Sequence, residues 1–359
     1  MNRKFSIKSV FILILSIGIL STVTIRSIAI ISDFDFTTSY FRSDTLITIA
    51  SYLTVGFCVL LFSAMFSIAK GKRLLASFSS PATYVPAGAV CAALAFLSVN
   101  TLTDSLLFKA AELSSSITLP SNPNERMMLI SEPVLFILGV LAIIHLALTA
   151  GIDTKSSYPR AYLGLCMSLF LGFYAAYLYF TVELPINSPN KIVDQMAYLF
   201  AALFFLYETR LSMGRERWGA YTAFGLIASL LTAYSSIPSL ICYLATKNLI
   251  SHSIYETVFT LSLFIFITSR LLVALFAEED KESDFTRRLK AMQTERPAIV
   301  TEITGEDTII YNQLQDESSE DAFSQDAGAY TPNEIFREAK DLPEDAENTE
   351  QTPDGDAKL

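Results

Sequence analysis

The sequence predicts an all-α protein: a polytopic membrane bundle of about eight transmembrane helices with a largely disordered acidic C-terminal tail. Residues 1–277 contain about eight apolar segments, each close to the roughly 20 residues that a helix needs to cross a bilayer. Hydrophobic residues make up 52% of the chain and charged residues 17%, below the roughly 25% typical of soluble domains. The composition changes abruptly after Ala277, where a run of acidic residues begins. The chain therefore divides into a bundle, residues 1–277, and a tail, residues 278–359.

The apolar segments define the predicted spans, because a helix satisfies its own backbone hydrogen bonds in lipid. Arg3, Lys4 and Lys8 precede the first segment as they would in a signal peptide. Its apolar run is longer than that of a signal peptide, so we expect a retained helix. In order, the predicted helices are 9–31, 45–69, 84–107, 128–150, 161–182, 194–211, 219–245 and 256–277.

Several residues inside these spans predict how the helices pack. Gly88, Gly164 and Gly172 are small residues in the third and fifth spans, and such residues let helix backbones approach closely. Pro238 follows a pair of serines in the seventh span. Proline removes one backbone hydrogen bond, so we expect a kink here, with a neighbouring hydroxyl taking up the freed carbonyl.

The basic residues predict the orientation of the bundle in the membrane. The connections on one side, with the N-terminus, hold 11 Lys and Arg residues, against 5 on the other side. Cytosolic connections carry the excess of positive charge, so both termini are predicted to be cytosolic in a cell membrane. Aromatic residues near the span ends, including Tyr177, Tyr198 and Trp218, are expected to form an interfacial belt.

One group of charged residues is predicted near the outer ends of the helices. Arg26 is its single cation, and a pair with Glu132 or Glu256 is the natural expectation. Asp104 and Asp194 belong to the same group. Two interpretations remain open: acidic residues that complement helix dipoles at the headgroup level, or an acidic pocket open to the outside.

A second group lies near the inner ends and consists of His145, Glu208 and Arg270. Arg270 is expected either to reach the surface with its long side chain or to bond Glu208. The alternative is a site for protons or anions built from all three residues beside the Pro238 kink. The candidate intramembrane polar site therefore comprises Arg26, Glu132, His145, Glu208, Pro238 and Arg270.

The sequence contains no recognised catalytic or cofactor-binding motif. HExxH, GxSxG, P-loop, Rossmann and CxxC patterns are all missing, and the chain has two histidines. Four cysteines lie far apart inside apolar segments, where they are expected to be small buried hydrophobic residues. We therefore predict no catalytic residue, no cofactor and no metal site.

The tail predicts a binding arm for a protein partner. Residues 278–359 hold 23 of the 36 acidic residues and 8 of the 26 basic ones, which leaves −15 on the tail and +5 on the bundle. An acidic tail argues against nucleic acid as a partner. Residues 298–311 carry two β-branched runs around a glycine and are expected to dock onto a cytosolic or membrane protein. The lipid bilayer is the other predicted partner.

Three functions follow from these predictions, in order of preference. The first is a non-enzymatic sensing, assembly or regulatory membrane protein whose acidic tail engages a partner. The second is a small-solute transporter or permease component that uses the kinked seventh helix with Arg270, His145 and Glu208. The third is an intramembrane enzyme.

Overall fold

The computed structural model describes residues 7–67, 81–115, 123–151, 158–180, 188–212, 217–248, 250 and 253–276. In these residues, 8 helices are long and apolar enough to cross a membrane. The predicted helical membrane bundle is therefore confirmed. The predicted tail, with its docking segment 298–311, lies outside the described residues.

The helices match the predicted spans closely in number and order. They are α1 Ile7–Asp33, α2 Asp44–Phe62, the short α3 Ala64–Ser67 that completes the same span, α4 Pro81–Ser115, α5 Pro123–Gly151, α6 Tyr158–Phe180, α7 Pro189–Ser212, α8 Trp218–Thr246 and α9 Ile254–Phe276. The described part of α4 continues to Ser115, so much of the connection expected at 108–127 is helical.

Proline explains why three helices begin earlier than the apolar pattern indicates. The starts of α4, α5 and α7 were expected at 84, 128 and 194, but they lie at Pro81, Pro123 and Pro189. Proline suits the first turn of a helix because its fixed φ is helical and its missing N–H has no partner there anyway. A window that measures hydropathy does not detect such a polar first turn.

Helix α8 is the centre of the bundle. It packs against α1, α2, α3, α7 and α9, and most of its residues are buried on every side. The helices α4 to α9 form a closed ring, since each packs against the next and α9 returns to α4. Because α8 belongs to this ring and also supports α1 and α2, it joins the two parts of the bundle. A helix that is apolar on every face is suited to this position.

A small β-hairpin, which the sequence did not predict, connects α1 and α2. Strand β1, Phe34–Asp35, pairs antiparallel with β2, Tyr40–Phe41. The Phe34 and Phe41 rings meet edge to face with 5.1 Å between centroids, and both rings join an apolar cluster with Ile30. The end of the bundle that carries this hairpin is called the hairpin end below, and the end at which α1 begins is called the opposite end.

Small residues allow close helix contacts, although partly at other positions than predicted. A Cβ added to Gly164 would lie 2.5 Å from the Thr209 hydroxyl oxygen, which agrees with the prediction. Gly88 and Gly172 have open space in that direction as far as the described residues extend, so the prediction is wrong there. Among the described glycines the tightest approach involves Gly219 in α8, where an added Cβ would overlap the Met65 carbonyl oxygen. Spacing alone does not reveal which face of a helix meets a neighbour.

Candidate functional site

Arg26 forms the centre of a polar cluster near the hairpin end. This α1 residue is 1% exposed. Its Nη1 donates to the Tyr234 carbonyl oxygen of α8 and its Nη2 to Oδ1 of Asn190 in α7, both at 2.8 Å. The guanidinium carbon also lies 4.3 Å from the centroid of the Tyr234 ring, a cation–π contact. One side chain thus connects three helices.

The position of Pro238 explains why Arg26 is needed in this place. In an α-helix the carbonyl of Tyr234 would accept from the N–H of residue 238, which proline lacks. Arg26 supplies the missing donor from a neighbouring helix. The candidate residues Arg26 and Pro238 are therefore parts of one arrangement, and α8 continues through the proline to Thr246.

The expectation that a neighbouring hydroxyl would take up the freed carbonyl is wrong. Ser239 donates to the Ser235 carbonyl oxygen at 2.8 Å and Ser236 to that of Thr232 at 2.6 Å. A helical hydroxyl reaches the carbonyl three or four residues before its own position. For Tyr234 those positions are occupied by Ile237 and Pro238, which have no hydroxyl.

The expected pairing of Arg26 with Glu132 or Glu256 is also wrong. Within the described residues, Arg26 donates its hydrogen bonds to neutral oxygens. The charge of Asp194 attracts Arg26, but the two side chains are not in direct contact. The Asp194 carboxylate accepts a hydrogen bond from the Ser235 hydroxyl of α8. Arg26 and Asp194 therefore both fasten their helices to the segment of α8 before Pro238.

Glu132 and Glu256 lie instead beside buried tyrosines of α6 and α7. The Tyr177 hydroxyl donates to Glu132 at 3.4 Å, and the Tyr198 hydroxyl lies 3.4 Å from Oε1 of Glu256. Tyr198 also bonds the Thr260 hydroxyl at 2.6 Å. Tyr174 packs edge to face on Tyr198 and stacks on Tyr177.

Tyr177 and Tyr198 were expected at the membrane interface, but they are buried. Tyr177 and Tyr198 belong to the apolar core, as does Trp218 at the opposite end. An aromatic residue near the end of a span suits either an interface or a buried hydrogen bond. The apolar pattern does not distinguish these two environments, so sequence reasoning missed the tyrosine layer formed by Tyr174, Tyr177 and Tyr198.

A second buried arginine lies near the opposite end. Nε of Arg270 in α9 donates to Oε1 of Glu208 in α7 at 2.8 Å. Of the two expectations for Arg270, the bond to Glu208 is formed, and a residue that is 0% exposed does not reach the surface. Tyr221 of α8 lies beside this pair and packs edge to face on Trp218, with 5.9 Å between ring centroids.

The third residue of the predicted inner group, His145, lies on α5 and is half-buried. His145 and Thr209 approach the same face of Gly164 in α6, where an added Cβ would lie 3.1 Å from Cε1 of His145. Thr209 is the chain neighbour of Glu208. The structure thus places His145 close to the segment of α7 in which Glu208 bonds Arg270.

The chemistry of both clusters is that of charge and hydrogen bonding between helices. No group of three or more His, Cys, Asp or Glu side chains capable of holding a metal ion occurs in the described ranges. The four cysteines are free thiols. Comparison with known proteins adds nothing to this picture: no protein-family model, curated protein or solved structure matches the chain.

Proposed function

We propose that this protein is a non-enzymatic regulatory or assembly protein of the cell membrane, with its acidic cytosolic tail engaging a partner protein. One observation carries the proposal: both buried arginines are engaged between helices of the bundle. Arg26 joins α1 to α7 and α8, and Arg270 joins α9 to α7. Charges used in this way stabilise a scaffold.

The charge distribution supports the same proposal. The tail carries −15, and it follows a bundle of membrane-spanning helices. Acidic segments of low hydrophobicity bind partners through charge and order on binding. The segment 298–311, with its β-branched runs, is the part of the tail with the composition of a docking strand.

Site-specific cross-linking in living cells tests this function. A photoreactive residue at Ile309 should yield one defined cross-linked protein, and deletion of 283–359 should abolish its enrichment with the chain. Replacing Glu302, Glu306 and Asp307 by their amides should weaken the cross-link. The same change at Glu344, Asp345 and Glu347, outside the docking segment, is the matched control. Equal enrichment with and without the tail would contradict the proposal.

A reporter fused after Leu359 tests the orientation on which the proposal depends. The excess of Lys and Arg on the N-terminal side supports a cytosolic tail. A reporter that is active only in the cytosol should therefore give a signal. A signal from an exterior-only reporter would refute cytosolic partner binding.

Transport of a small solute is the second candidate function. It is favoured by the burial of Glu208 and Arg270, since ionisable residues inside membrane helices are costly and often mark the path of an ion or a solute. Proteoliposomes that enclose a pH dye or a chloride dye provide the test. A transporter should pass protons or chloride, and Arg270→Ala should stop that flux while the protein remains inserted. If the wild-type chain passes neither ion, proton or chloride transport is excluded.

A further inference from the structure

Two hydrogen-bond donors beside the Arg26 guanidinium have no partner. Nε of Arg26 and Nδ2 of Asn190 are buried, and neither finds an acceptor in the part of the chain that the structure describes. Nη2 of Arg26 donates to Oδ1 of Asn190 at 2.8 Å, so bond lengths place the two unpartnered nitrogens within about 7 Å of each other. A buried donor without an acceptor costs free energy. A small ligand that accepts from both nitrogens would therefore be stabilised here.

A buried carboxylate lies one helical turn from Asn190. Asp194 follows Asn190 by four residues on α7, so the two side chains share a face and are about 6 Å apart along the helix. The charge of Asp194 attracts the Arg26 guanidinium from beyond the reach of a direct bond. One small molecule spans such a distance when it bonds both sides at about 2.8 Å.

Three helices enclose the space between Arg26 and Asp194. The α7 wall carries Asn190 and Asp194, and α1 contributes Arg26 itself. On the α8 side, the Tyr234 carbonyl accepts from Nη1 of Arg26, and the next residue, Ser235, donates to Asp194. The Tyr234 hydroxyl is also buried without a partner in the described ranges, and its ring lies against the guanidinium. The space is thus lined by polar groups of all three helices.

The two charges decide what kind of ligand fits. Arg26 repels a cation and Asp194 repels an anion, so the ligand is neutral. It must accept from Arg26 and Asn190 and also donate to the Asp194 carboxylate. Water does both, and a buried water in a protein typically makes about three hydrogen bonds to polar groups that have no other partner. Opposite charges that are too far apart for direct contact are commonly bridged by water.

We propose that Arg26, Asn190 and Asp194 form a binding site for an internal water molecule, which makes Arg26 and Asp194 a water-mediated ion pair. The water accepts from Nε of Arg26 and Nδ2 of Asn190, and it donates to the Asp194 carboxylate and to the Tyr234 hydroxyl oxygen. Solvent at the hairpin end supplies it, since Asn190 lies in the first turn of α7. The site is independent of the tail and of the partner that the tail binds.

Water-edited solid-state NMR of the full chain in bilayers tests this site. The chain is deuterated, its arginines carry ¹⁵N, and magnetisation starts on water protons. The Nε signal of Arg26 should grow at least about threefold faster than that of Arg270, which is equally buried but donates to Glu208. The variants Arg26→Lys and Arg270→Lys assign the two signals. Equally slow growth of both signals in the wild type would overturn the proposal.

Two substitutions at Asp194 test what holds the water. Asp194→Leu removes the acceptor and fills the space, so it should slow the Arg26 signal to the rate of Arg270. Asp194→Asn keeps an oxygen in the same place and is the matched control, which should preserve fast growth. An unchanged Arg270 signal verifies that each variant is folded. Fast growth that persists in Asp194→Leu would contradict the proposal.

Two measurements on the wild type keep the test independent of any variant. A dipolar-coupling distance between ¹⁵N of Arg26 and ¹³Cγ of Asp194 should exceed that of a direct ion pair, about 4 Å. A shorter distance would show that the charges touch, and no water would then be needed. Replacing chloride by gluconate in the buffer should leave the Arg26 Nε shift unchanged. A changed shift would show that an anion occupies the site instead of water.

Discussion

The two buried arginines, Arg26 near the hairpin end and Arg270 near the opposite end, solve the same physical problem differently. Both are almost completely removed from solvent. Arg270 donates to a carboxylate, Glu208, at 2.8 Å. Arg26 donates to an amide oxygen and to a backbone carbonyl, while Asp194, an acid whose charge attracts it, accepts from Ser235. One charge is neutralised by an ion pair in direct contact, whereas the other is stabilised by neutral oxygens and by an acid that it does not touch.

The difference shows how a break in a helix can be used. Arg270 bonds a carboxylate, and neither α7 nor α9 has a proline near that point that would free a backbone carbonyl for it. Arg26 finds an acceptor in α8 because Pro238 leaves the Tyr234 carbonyl without its intrahelical donor. The proline and the arginine satisfy each other, so neither needs a carboxylate in direct contact. The two sites should respond differently to substitution.

The largest effect is expected for Glu208→Gln. This change removes the negative partner and leaves the buried Arg270 guanidinium without a counter-charge, which should cost about 3–5 kcal/mol of stability. Denaturant titration of the protein in mixed micelles measures the loss. The double variant Glu208→Gln with Arg270→Met removes both charges and should recover most of the stability. An unchanged midpoint in the single variant would show that the ion pair contributes little.

A smaller loss is expected for Arg26→Met. The change leaves the Tyr234 carbonyl and the Asn190 amide oxygen buried without their donor, which should cost about 2–3 kcal/mol. Arg26→Lys should recover only part of this, because a single ammonium lacks the fork that reaches α7 and α8 together. The same titration in micelles provides the measurement. Full recovery with lysine would show that charge alone matters at this position.

A double-mutant cycle between Arg26 and Pro238 should reveal a coupling of about 1–2 kcal/mol. Pro238→Ala restores an N–H that can bond the Tyr234 carbonyl, so it should partly rescue Arg26→Met. The same substitution combined with Glu208→Gln should be additive, since no contact links those sites. Additive effects of Arg26→Met and Pro238→Ala would contradict the claim that both residues act on the Tyr234 carbonyl.

The smallest effect is expected for a third arginine that lies in water. Arg42 is 76% exposed and its Nε lies 3.7 Å from Oδ2 of Asp35 in the hairpin. Exposed pairs of this kind are worth about 0–1 kcal/mol, so Arg42→Gln should change the unfolding midpoint little. A loss of stability as large as that caused by Arg26→Met would show that solvent exposure does not determine how much each arginine stabilises the protein.

The hairpin also predicts a local pH dependence. Hydrogen bonds from the Thr37 hydroxyl and backbone N–H, with a smaller contribution from Arg42, hold the pKa of Asp35 below its ordinary value of 3.8. Its stabilising contribution is therefore complete above that value and is lost as the pH falls through the lower, folded pKa. NMR shifts of the Thr37 amide should follow this titration, and Asp35→Asn should abolish it. A titration midpoint above the ordinary value would contradict this assignment.

The sequence could predict the Arg270–Glu208 bond because depth in the membrane limits the choice of partners. Both residues lie near the same end of their spans, and few other charges share that depth. The partner of Arg26 was beyond the same reasoning, since several acids lie at its depth and the bond went to a backbone carbonyl. The open sides of Gly88 and Gly172 illustrate the same limit, because residue size does not specify a neighbour.

By itself the amino-acid sequence predicted eight helices apolar enough to cross a membrane, which the structure confirms, and an acidic remainder whose composition favours water. Hydropathy is a sum over the residues of one segment, so it can be calculated without knowing which helices pack against that segment. What only the tertiary structure decided was which helices touch: the central place of α8, the tyrosine layer, and the contact of Arg26 with the carbonyl that Pro238 frees. Those features arise between segments that lie far apart in the chain, where side-chain shape and unmet hydrogen bonds select the neighbour.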